Sequence, residues 1–202
     1  MVKKPIRQTL NLIGDILLFA AAVMFILTFG PVVKEEVKYT THQVFKVKDA
    51  AEKPLTPPNK DFSIVIPKIG AAAPVVSDVD SQDPKVYPAA LRKGVAHAKG
   101  TPYPGHFGNT YIFAHSTDAF YNVGRYNAVF YLLGKLSPGD EIDIYYKEVL
   151  YKYSVTDIKI VEAKDVTYLG NFGEGNTLTL QTCYPPGTTL KRLVVIGRLT
   201  NP

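Results

Sequence analysis

The sequence predicts an all-β domain, a closed or nearly closed antiparallel barrel or sandwich with short helices, preceded by one N-terminal transmembrane helix. Three observations lead there: a long apolar run near the N-terminus, a proline-rich polar stretch behind it, and a remainder of short Val-, Ile- and Tyr-rich runs broken by Gly, Pro and Asp. With 46% hydrophobic and 20% charged residues, 13 Tyr and 10 Phe, the chain of 202 residues carries material for one sizeable core. That composition excludes a disordered polypeptide.

Taken in order, residues 1–9 are the expected cytoplasmic N-terminus, with Lys3, Lys4 and Arg7 and no acid. Residues 10–33, LNLIGDILLFAAAVMFILTFGPVV, are interrupted only by Asn11, Asp15, Thr28 and small or Pro residues. As a helix this run just spans a hydrocarbon core of about 30 Å. The basic flank before it places the N-terminus inside and the rest of the chain outside. The competing reading is a cleaved signal peptide, whose apolar centre would be 16–29. Against it, no small-x-small site follows that centre, where the chain reads Thr28-Phe29-Gly30-Pro31. Residues 34–60 are charged and end in Lys53-Pro54-Leu55-Thr56-Pro57-Pro58, the composition of a semi-stiff spacer.

The globular domain is expected over 61–202. Its β-type runs are 62–66, 73–77, 109–115, 141–146, 149–160, 176–183 and 193–199, with helical pieces at 83–92 and 129–136. The second piece is stopped by Ser137-Pro138-Gly139-Asp140. Seven or eight strands with so little helix make a barrel or a sandwich, and periodicity alone does not choose. The net charge of +5 suits a protein working near an anionic surface, but it is spread along the chain without a long Lys/Arg run. A nucleic-acid partner is not expected.

The chain has one cysteine, Cys183, which forbids an internal disulfide and lacks the partners of a Cys-rich zinc site. Alternation along 177–183 puts Leu178, Leu180 and Thr182 on one face and Thr177, Thr179, Gln181 and Cys183 on the other. A structural thiol, a small hydrophobe, belongs with the leucines; its place on the polar face favours an accessible one. Pro185-Pro186-Gly187 then turns the chain, which re-enters a strand at Arg192. If the two strands pair antiparallel, Cys183 and Arg192 stand at the two mouths of one loop. A guanidinium there could bind the oxyanion formed when a thiolate attacks a carbonyl; the plain alternative is a solvated strand-end charge.

A thiol of ordinary pKa, about 8.5, is mostly protonated at neutral pH, so a nucleophilic cysteine needs an acid/base neighbour. His42 falls in the spacer, and His97 and His106 in a stretch expected to be a Gly/Pro-rich loop, GVAHAKGTPYPGHFGN. His115 ends the apolar run Asn109-Thr110-Tyr111-Ile112-Phe113-Ala114, which makes it the strongest candidate; a histidine that simply closes a strand is the alternative.

These segments resemble the sortase family, membrane-anchored cysteine transpeptidases. The family's TLxTC signature stands as Thr179-Leu180-Gln181-Thr182-Cys183, followed by Lys191-Arg192-Leu193. Pro104-Gly105 through Gly108-Asn109 to His115 is similar to the family's loop and strand before its histidine, and Ile66-Pro67-Lys68-Ile69-Gly70 to its opening strand. Ala114 departs from the Gly common before that histidine, and Thr182-Cys183-Tyr184-Pro185 resembles the class D or class E type.

The resemblance implies an eight-stranded sortase-type β-barrel. Cys183 would be its nucleophile, His115 its general acid/base and Arg192 the stabiliser of substrate and oxyanion. The reaction implied is cleavage of an LPXTG-like sorting signal through a thioester, then transfer to an amine. Its partners would be surface proteins bearing a C-terminal sorting signal, and a peptidoglycan precursor or pilin lysine as acceptor. Residues 163–175 fall where the family's substrate-recognition loop lies. No cofactor is implied, and no compact Asp/Glu cluster argues for a metal. The rivals are a cysteine peptidase, with water as acceptor, and a membrane-tethered binding module with a structural Cys183.

Overall fold

A computed structural model describes residues 4–46, 55–116, 129–170 and 175–200. Eight strands close into one barrel: β1 (Phe62–Ile66), β2 (Ala71–Val79), β3 (Val95–Ala98), β4 (Gly108–Phe113), β5 (Glu141–Tyr146), β6 (Val149–Glu162), β7 (Asn176–Tyr184) and β8 (Lys191–Leu199). Around the barrel the order is β1-β2-β3-β4-β7-β8-β6-β5, with β5 returning to β1. Ile64, Ile66, Ile112, Ile142, Ile144, Leu178 and Leu180 fill the interior, each 0 or 1% exposed. They come from alternate positions of four strands, β1, β4, β5 and β7, as a half-buried pleated surface requires.

The expected strands 62–66 and 141–146 stand as read, and the others lengthen or shorten by a few residues. Three expectations are corrected. The barrel is not purely antiparallel: β2 pairs with β3, and β4 with β7, in parallel. Strand β3 lies in the stretch expected to be loop. It is only four residues long and comes in after Gly94, where a side chain would collide with the Pro74 carbonyl oxygen at 2.1 Å. The helical pieces shrink to α2 (Tyr87–Leu91) and a 3-10 turn, Tyr131–Lys135. Pro88 and Gly134 in such short segments leave little room for propagation.

The N-terminal helix α1 runs from Lys4 to Lys46, so the first part of the expected spacer is helical. Past Pro31 the helix docks on the domain, and this offsets the backbone bond that proline removes. Lys135 Nζ lies 3.5 Å from Glu36 Oε1 and 5.6 Å from the centre of the Tyr39 ring, and the Tyr131 hydroxyl donates to Glu36 at 3.4 Å. Among the described residues no helix is long and apolar enough to cross a membrane. The continuous stretch of α1 with described side chains, 11–26, rises about 24 Å, and the expected span over 10–33 reaches beyond it. Lys53 and Pro54 of the proline-rich stretch lie outside the described residues.

Candidate active site

Two backbone registers bring the expected site residues to one end of the barrel. In the antiparallel β7–β8 pair Cys183 stands directly opposite Arg192, which puts their Cβ atoms about 5 Å apart on one face. In the parallel β4–β7 pair Phe113 stands opposite Gln181, and the Ala114 amide still donates to the Gln181 carbonyl at 3.1 Å. Two residues further along both chains, His115 reaches the level of Cys183. Only parallel pairing does this, because both strands then finish at the same end; antiparallel strands would hold the imidazole and the thiol a barrel's height apart.

Side chains lock the ends together. The Thr182 hydroxyl donates to the Ala114 carbonyl at 3.1 Å, tying the residue before the cysteine to the residue before the histidine. Ala114 itself is buried, 7% exposed. The Gly187 amide donates to the buried Ser116 hydroxyl at 3.4 Å, which fastens the β7–β8 turn to the end of β4. The Arg192 guanidinium donates from Nη1 to the carbonyls of Thr189 and Lys191 at 3.1 and 3.0 Å. These bonds hold the guanidinium in place and leave its charge without a carboxylate among the ion pairs of the described residues.

Cys183, His115 and Arg192 are all half-buried and line one cleft of about 310 Å³. Its floor is the outer face of β4 and β7, with Tyr111, Phe113 and Gln181; one wall is the 3-10 turn Thr167–Leu169 and its approach, with Asp165, Val166 and Leu169. The polar face of β7 is therefore not a solvent face. Thr177 and Thr179 are buried at 4% and 0%, and the strand opens to the cleft only at Gln181 and Cys183. Tyr111, 3% exposed, donates its hydroxyl to Gln181 Oε1. Burial raises the phenol's pKa far above its ordinary value, against a weaker downward pull from the Arg192 charge.

Among the histidines with described side chains, His115 is the one that lines this cleft. His42 lies in α1, His106 is exposed in the loop before β4, and His97 is sealed inside β3. The expected recognition stretch 163–175 does form a wall, although 171–174 lie outside the described residues. Sequence reasoning missed Tyr111, Asn109 and Ser116 as parts of the site. Gln181 was legible on the cysteine's face by parity, whereas the β4 residues join it only through a register no local pattern encodes.

A family model for the sortase domain matches residues 64–200. Sortase D of Bacillus subtilis (strain 168) is 30% identical over 136 residues, 66% of this chain and 60% of that protein. Sortase A of Listeria monocytogenes is 37% identical over 65 residues, 32% of this chain and 29% of the relative. The matched regions thus span less than two thirds of either relative's length. Among solved structures, a lid mutant of sortase A from Corynebacterium diphtheriae superposes with a TM-score of 0.59 at 26% identity, covering 80% of this chain and 77% of that one. Sortase C-1 of Actinomyces oris, at 24% identity and a TM-score of 0.60 over 85% of this chain and 99% of that one, shares the fold.

Proposed function

The chain belongs to the sortase family, and from that premise we propose that it is a membrane-anchored cysteine transpeptidase acting on an LPXTG-like sorting signal. The Cys183 thiolate attacks the carbonyl carbon of the signal's Thr. The C–N bond to the following residue breaks as His115 gives a proton to the departing amine, leaving a thioester. An incoming amine then attacks the thioester, His115 takes its proton, and Cys183 leaves as thiolate with a new amide bond formed. Arg192 stabilises the oxyanion of both tetrahedral intermediates. The acceptor is an amine of a peptidoglycan precursor or a pilin lysine. The similarity to a sortase D supports a class D type.

The observation that carries this reading is the convergence of the parallel β4–β7 register and the antiparallel β7–β8 register on one cleft. The test is to incubate the full chain in detergent with an LPXTG peptide and triglycine. A ligated product is expected; hydrolysis alone would make the protein a cysteine peptidase. Retained activity in Cys183→Ala would sink the nucleophile assignment.

Helix α1 is proposed as the anchor, N-terminus cytoplasmic and catalytic domain outside the membrane. Its described apolar side chains point outward all round the helix, with Leu12, Ile16, Phe19 and Phe25 exposed by 60, 58, 73 and 63%, and a helix apolar on every side needs an apolar surround. Carbonate-resistant membrane association and digestion of the domain by protease added to cells stripped of their wall are expected; release of the protein by carbonate would refute the anchor.

A further inference from the structure

Beneath the cleft wall sits a buried carboxamide that the proposed reaction does not use. Asn109, second residue of β4, is 0% exposed and lies on the same face as Tyr111 and Phe113. Its Nδ2 donates to the carbonyl of Tyr168, the middle residue of the 3-10 turn, at 2.9 Å. Its Oδ1 accepts from the hydroxyls of Thr179 at 2.9 Å and Thr177 at 3.2 Å. The amide has one possible orientation. A carbonyl oxygen can only be met by a donor, so Nδ2 must face Tyr168 and Oδ1 the two threonines.

The segment so held is otherwise attached by half-buried packing, with Tyr168 and Leu169 resting against the core. No side chain of the turn Thr167–Leu169 is buried, and Val166 before it is 62% exposed. Its internal bonds, Leu169 amide to Val166 carbonyl at 3.0 Å and Thr167 amide to Asp165 Oδ1 at 2.9 Å, shape the turn without attaching it to the barrel. Segments with few buried contacts open at low free-energy cost. A bond from a fully buried amide is strong by comparison, since breaking it strands a donor away from water.

We propose that Asn109 is a positioning residue: by holding the Tyr168 carbonyl it sets the distance between the Val166–Leu169 wall and the Tyr111–Gln181 floor, and so selects an extended peptide. The proposal rests on reading the cleft as a peptide site. It places substrate affinity under a residue that touches neither substrate nor Cys183. Releasing the wall should therefore weaken binding and leave the reactive groups as they are.

The test is Asn109→Leu in the full chain, close in volume but without polar atoms, measured in detergent beside the wild type. The expected results are a KM for the sorting peptide raised roughly tenfold with kcat changed less than about threefold, and an unchanged rate of Cys183 alkylation by iodoacetamide. Tryptic cleavage after Lys164, at the base of the wall, should be faster by a similar factor. A merely structural Asn109 would lower the melting temperature and the titratable Cys183 while leaving KM and Lys164 cleavage as in the wild type, and that outcome overturns the proposal. If Asn109→Leu does not fold, Asn109→Ser, too short to reach Tyr168, is read the same way. Should the wild type neither ligate nor hydrolyse the peptide, the proposed function fails, while the Lys164 cleavage rate still decides whether Asn109 holds the wall.

Discussion

His97 in β3 and His115 just past the end of the adjacent, antiparallel β4 belong to one barrel, yet their surroundings make them different chemical objects. His97 is 0% exposed in β3, stacked on Tyr103 with ring centres 4.6 Å apart and tilted against Phe62 at 5.8 Å. Tyr103 stacks in turn on Tyr146 at 5.0 Å. The His97 Nε2 lies 3.0 Å from the Thr101 hydroxyl and 3.3 Å from the Pro102 carbonyl, while its Nδ1 is 3.9 Å from Asp78 Oδ1, beyond hydrogen-bond reach. His115, two residues beyond β4, is half-buried and opens to a cleft that holds a thiol and a guanidinium. An imidazole held neutral inside an aromatic stack contributes packing; one at the rim of a cleft can exchange protons.

The sharpest way to break this comparison is to remove each ring. His115→Ala is expected to lower the transpeptidation kcat by about 10²–10⁴, the usual worth of a positioned acid/base, while the melting temperature stays near that of the wild type. His97→Ala should do the reverse. It should cost about 3 kcal/mol of stability for a lost buried ring, read by denaturant unfolding, with kcat per folded molecule unchanged. If His97→Ala abolishes activity in folded protein, the division of roles between the two histidines is wrong.

Arg192→Lys comes next. An ammonium keeps the charge but not the planar fork, and a fall of about a hundredfold in kcat is expected, with KM changed less.

A smaller effect separates the histidines by pH. Burial holds the His97 pKa below its ordinary 6.5, against opposing pulls from the Pro102 carbonyl and the Asp78 carboxylate. As pH falls through 6.5 the unfolded chain takes up this proton before the folded one does, so stability drops until His97 titrates in the fold as well. The melting temperature should therefore decline below pH 6.5, and His97→Gln should flatten that decline; an unchanged slope would remove His97 as its source. The smallest effect tests the barrel away from both rings. Lys68 Nζ pairs with Asp140 Oδ2 at 2.7 Å near the surface, and Lys68→Ala should cost less than about 1 kcal/mol.

The aromatic cluster around His97 was invisible in the sequence because each member comes from a different segment: Phe62 from β1, Tyr103 from the loop after β3, Tyr146 from β5. The end of the barrel that holds the cleft was partly legible. The run 177–183 announces its own two faces through side-chain alternation, and Cys183 could be assigned to the polar one before any partner was known. The order of the sortase-like motifs then singled out His115 and Arg192. Nothing in that order says that the outer face of β7 is buried at Thr177 and Thr179, or that Asn109 reaches across to the wall.

By itself the sequence determined what depends on neighbours along the chain: the strands 62–66 and 141–146, the turn at Pro185-Pro186-Gly187, the apolar N-terminal run and the parity of Cys183. The tertiary structure alone decided what depends on residues far apart. The pairing of β4 with β7, whose partners are separated by about seventy positions, is parallel, and the four-residue β3 exists only because β2 and β4 flank it. Local preference sets the conformation of a few residues, but loop closure over such distances is repaid only when the whole barrel buries its core. The meeting of His115 with Cys183 is therefore a property of the closed sheet.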